Sequence, residues 1–116
     1  MKHFMIILDT SFLAAYFRKS DVHHSKAVEL AKRHSEEKLI ISFLVFQEFI
    51  SHLNRKASSE LANSVAKFLL SKDSKVEVYK LDEIYMDEVL ALYETLSPHL
   101  FSYVDVSLIQ IGRAHV

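Results

Sequence analysis

The stretch Phe4-Met5-Ile6-Ile7-Leu8-Asp9-Thr10-Ser11 decides how this chain folds. Its five apolar residues are too few for a helix and suit a strand covered on both faces, as in a parallel sheet. Asp9 then breaks the run. Thr10 to Phe17 reads as a short helix with Asp9 or Thr10 as its cap. Working outward, Asp21 is a candidate N-cap for a helix over 22–35, with Ala27, Val28, Leu30 and Ala31 facing inward. Leu39-Ile40-Ile41-Ser42 reads as a second strand. Phe46, Phe49, Ile50 and Leu53 then repeat at helical spacing, predicting a helix over 43–55. A fourth helix over 57–71 places Leu61, Val65, Phe68 and Leu69 on one side. Val76, Val78 and Leu81 mark a third strand, alternating with Glu77 and Lys80. Asp82 caps a helix over 83–96, which Pro98 ends, and a sixth helix begins near Ser102. The order β-α-α-β-α-α-β-α-α calls for parallel strands joined by helical crossovers, a three-layer α/β/α domain.

Composition narrows the class. At 116 residues the chain makes one domain with a genuine core. Half of it is apolar and a quarter charged, so it is globular rather than disordered. A formal charge of −1 argues against an indiscriminate nucleic-acid binder but allows a local grip on RNA. Without cysteine there are no disulfides and no thiolate zinc sites. No run approaches the roughly 18 apolar residues of a membrane span, and the expected location is the cytoplasm. Gly112 and Pro98 are the sole glycine and proline, so glycine-dependent phosphate loops are excluded.

Asp9, Glu48 and Asp105 each stand where a predicted strand ends or a helix begins. In open α/β sheets the loops at the carboxyl ends of the strands form the usual ligand crevice. Acids gathered there make an oxygen-rich, negative pocket suited to a hard divalent cation. Each acid also has a purely structural account. Asp9 serves as a helix cap, worth about 1 kcal/mol. Glu48 lies off the apolar stripe of its helix and can simply be solvated. Ser102 and Asp105 fit a capping box. Capping and metal binding are compatible, because a carboxylate has several lone pairs. His23-His24 is a poor zinc pair, since adjacent helical side chains diverge by about 100°. Arg18, Lys19, Arg55 and Lys56 suit substrate phosphates or a plain solvated face.

Four stretches taken together resemble the PIN-domain nucleases, in particular the VapC-type toxins of toxin–antitoxin pairs. They are Ile7-Leu8-Asp9-Thr10-Ser11, Asp21-Val22-His23-His24, Val45-Phe46-Gln47-Glu48-Phe49 and Phe101-Ser102-Tyr103-Val104-Asp105. The resemblance spans residues 4–110. It implies a PIN-like α/β/α fold and an endoribonuclease that hydrolyses RNA phosphodiester bonds with a metal-activated water. It places Asp9, Glu48 and Asp105 in the metal and catalytic site, with Mg²⁺ or Mn²⁺ as cofactor. It further implies an RNA substrate, a cognate antitoxin partner and a possible homodimer. A fourth acid belongs on a later strand, beyond the last residue of this sequence.

The rival readings are weaker. A haloacid-dehalogenase-type phosphotransferase needs a second aspartate where Ser11 stands. A PIN-like scaffold that binds RNA or protein without catalysis is the other alternative. The ending Ile111-Gly112-Arg113-Ala114-His115-Val116 matches an adapter oligonucleotide translated in one frame. The expectation is therefore a PIN domain over 1–110, incomplete at its C-terminus and lacking its final strands, followed by a non-native tail over 111–116.

Overall fold

The computed structural model describes residues 5–79 and 82–114. They form β1 (Met5–Ile7), α1 (Thr10–Phe17), α2 (His24–Arg33), β2 (Lys38–Ser42), α3 (Phe43–Lys56), α4 (Ser59–Leu69), β3 (Val76–Tyr79), α5 (Glu83–Leu96), a 3₁₀ turn (Ser97–His99) and α6 (Tyr103–Ala114). The order is the one the hydrophobic periods predict. Phe4, Lys80, Leu81, His115 and Val116, which enter the expectations above, lie outside the described residues.

The three strands pair in parallel in the order β1-β2-β3. Ile7 stands opposite Ile40, and Ile41 opposite Val78. Because strand side chains alternate between faces, the sheet feeds two cores. Ile6, Leu8, Leu39, Ile41, Val76 and Val78 join Leu13, Val45, Phe49, Leu53, Val65 and Leu69 of α1, α3 and α4. Met5, Ile7, Ile40 and Tyr79 join Tyr85 and Val89 of α5 and Val106 and Ile111 of α6. A helical layer therefore covers each face. This explains why β1 and β2 read as continuous apolar runs rather than alternating ones. Helix α2 packs on α1. Helix α6 runs without a break past Gln110, and Ile111 on it is fully buried.

Helix starts follow side-chain chemistry. Asp9, Ser42, Ser58 and Asp82 each accept the backbone N–H three residues on, from Phe12, Val45, Leu61 and Tyr85. Ser58 explains why α4 begins at Ser59 rather than 57. The second helix departs further from expectation. Asp21 does not cap it. Its Oδ1 accepts the His23 N–H at 2.8 Å, and its carbonyl accepts the His24 N–H at 3.0 Å. The aspartate thus closes a local turn, the usual competing use of this residue, and α2 starts only at His24. Phe68, expected inside, is largely exposed at the flank of the Leu61–Val65–Leu69 row.

Behind the carboxyl ends of the strands lies a buried polar knot. The Ser42 and Ser107 hydroxyls are 3.2 Å apart, and both residues are fully buried. The Tyr85 hydroxyl donates to the Ser107 carbonyl at 3.0 Å, tying α5 to α6. Burial pushes the Tyr85 phenol above its usual range, partly offset by the Ser107 side chain, so it serves as a neutral donor. Ser42→Ala removes the α3 cap and one wall of this knot. It is expected to lower stability by about 1–2 kcal/mol, measured as a reduced urea midpoint at unchanged slope.

Candidate active site

β1 ends at Ile7, and the Leu8 N–H still bonds the Ile40 carbonyl at 2.9 Å. Asp9 therefore sits just beyond the carboxyl end of its strand. One carboxylate oxygen is spent on the α1 cap, at 3.0 Å from the Phe12 nitrogen. The other is left for a ligand, so the capping account and the site account both hold. Ser42, the last residue of β2, passes directly into α3, which carries Glu48 on its second turn. Val45, Phe46 and Phe49 around it are buried while Glu48 is exposed, as its place off the apolar stripe requires. At the start of α6, Ser102 Oγ accepts the Asp105 N–H at 3.0 Å. The return bond of a capping box is not made among the described residues. The Asp105 carboxylate, like that of Glu48, has no hydrogen-bond partner among them.

These three acids, from positions 9, 48 and 105, line one cavity of about 150 Å³. Thr10, Ser11 and Ser102 add hydroxyls to its wall, and Val104 and Leu108 close it. The sequence reading had not singled out Thr10 as a site residue. Its Oγ1 is the one buried side-chain polar atom without a partner among the described residues, and such atoms call for a ligand or water. The available signal was its place next to Asp9. No lysine or arginine lines the cavity, so Arg18, Lys19, Arg55 and Lys56 fall outside it. His24 Nδ1 lies 2.8 Å from the Ala15 carbonyl, a structural bond between α2 and α1 rather than a metal contact.

The donor set fits a hard cation by type, since every polar group in it is oxygen. The carboxylates do not converge on a point: among the described residues no three acidic or histidine side chains stand close enough to share one ion. An ion here would be held by one or two carboxylates at most, with water completing its shell. Mg²⁺ sheds water reluctantly and is commonly held by one or two carboxylates. A space of about 150 Å³ is roughly five water volumes at ~30 Å³ each.

The sequence matches the PIN domain over residues 6–115. The chain belongs to the PIN-domain family, a family of nucleases. In this PIN domain Asp9, Glu48 and Asp105 line one cavity at the carboxyl ends of the strands. The fold is similar to that of VapC20 from Mycobacterium tuberculosis, described as a toxin that cleaves the sarcin–ricin loop. The TM-score is 0.78 at 23% identity, covering 96% of this chain and 82% of that one. A comparison with curated proteins gives no match. Among the described residues, no helix of this PIN domain is long and apolar enough to cross a membrane.

Proposed function

We propose that this PIN domain is a divalent-metal endoribonuclease and the toxin of a toxin–antitoxin pair. The observation that carries the reading is one cavity lined by three carboxylates from distant parts of the chain. Asp9, Glu48 and Asp105 would hold Mg²⁺ or Mn²⁺, directly or through water. When bound, such an ion polarises a phosphoryl oxygen and makes water a competent nucleophile near neutral pH.

The chain's own contribution is placement. Asp9 is fixed by its cap bond and Asp105 by the first turn of α6. Glu48 rides on a 14-residue helix anchored by Val45, Phe49 and Leu53. The hydroxyls of Thr10, Ser11 and Ser102 can donate to a phosphate oxygen or to water beside the carboxylates. No protein nucleophile is needed.

The location that goes with this role is the cytoplasm, where RNA and antitoxin meet. The partner would be a small protein whose arginine or lysine neutralises the carboxylates, and the active form a homodimer. The sarcin–ricin loop on which VapC20 acts supplies the first substrate to try. The full chain incubated with that hairpin and with total RNA in Mg²⁺ or Mn²⁺ should produce discrete cleavage products. Co-expression with its operon neighbour should suppress them and yield a stable complex. Intact RNA in both ions, with no toxicity on expression, would instead favour a non-catalytic scaffold.

A further inference from the structure

The loop that delivers Asp105 to the cavity holds two large apolar side chains in solvent. Leu100 is 92% exposed and Phe101 is 42% exposed. Neither belongs to either core. Their position is pinned from both sides. On one side Pro98 stands within the 3₁₀ turn, and the Leu100 N–H donates to the Ser97 carbonyl at 3.0 Å. On the other, Ser102 caps α6 through the Asp105 N–H. Leu100 itself takes φ 64°, the one positive φ at a non-glycine among the described residues. Leucine pays a steric penalty in that conformation, and such outliers gather at functional sites.

The cavity that Ser102 borders has acids, hydroxyls and two aliphatic residues, but no aromatic and no cation. Without a cation it repels phosphates, and a bound ion would hold a phosphate without gripping a base. A grip on the bases must therefore come from outside the cavity. An aromatic face grips any base irrespective of charge, and Phe101 is one residue from Ser102. We infer that Phe101, held out by the strained turn at Leu100, stacks on a base of the RNA substrate next to the scissile phosphate. It is thus a substrate-binding residue that contributes to the choice of cleavage site. This inference rests on the ribonuclease reading above.

The test compares the full-length wild type with Phe101→Ala, Phe101→Leu and Phe101→Trp. Cleavage sites of the wild type are first mapped on total RNA in Mg²⁺ or Mn²⁺. KM and kcat are then measured on a short RNA oligonucleotide spanning the mapped site. Loss of one stacked base should raise KM about tenfold or more in the Ala variant. The Leu variant keeps apolar bulk without a π face, guards against misfolding of the Ala protein, and should show the same rise. The Trp variant should keep KM within about twofold of wild type, with kcat little changed throughout. Unchanged KM in Ala and Leu, beside a wild type that cleaves, overturns this inference alone. So does a fall in kcat shared by all three variants, which marks a structural role. Unchanged KM together with loss of self-association or of antitoxin binding assigns the turn to a protein interface, also against the inference. A wild type that cuts no RNA overturns the ribonuclease reading and this one with it.

Discussion

Asp105→Asn is expected to reduce RNA cleavage more than about 100-fold, since changing even an outer-shell group costs a metal site roughly 10–100-fold. Asp9→Asn should do the same. Both changes are nearly isosteric and remove only charge. Asparagine caps helices about as well as aspartate, so the Phe12 N–H keeps its acceptor in Asp9→Asn. Thermal melts of both variants should stay close to wild type, within the roughly 0.5 kcal/mol typical of surface changes. Loss of activity with an intact fold separates a site role from the capping role that Asp9 also plays. Glu48→Gln should also be impaired, because Glu48 lines the same cavity. An Asp9→Asn or Asp105→Asn protein that cuts RNA at the wild-type rate would end the assignment.

Chelation is expected to have an effect of similar size. Three carboxylates around one small cavity repel each other until a cation balances them. EDTA should therefore abolish cleavage, and added Mg²⁺ or Mn²⁺ should restore it. A second readout is independent of activity. An ion that binds only the folded chain stabilises it by about 2.7 kcal/mol at a hundredfold excess over its Kd. The melt should rise by several degrees in wild type and by much less in Asp105→Asn. Full activity in EDTA, or equal metal-induced shifts in both proteins, would remove the metal from the proposal. No three of the described acidic side chains can share one ion, which predicts weak binding, so the titration has to extend well above trace metal.

The sequence by itself determined the elements and their order. That information is local: a five-residue apolar run for β1, the Phe46–Phe49–Leu53 spacing for α3, and the cap at Asp82 for α5. It also marked Asp9, Glu48 and Asp105 as residues at the mouths of strands and the starts of helices. Where local signals compete the reading slipped. Asp21 has two good uses within four residues, and the turn was chosen over the cap. Only the tertiary structure decided that the three acids share one cavity, and that they line it without converging on a single point. The stranded Thr10 hydroxyl, the contact between Ser42 and Ser107 and the exposed arm at Leu100-Phe101 belong to the same class. Each depends on how helices far apart in sequence pack against the sheet, and local backbone preference holds no information about such distances.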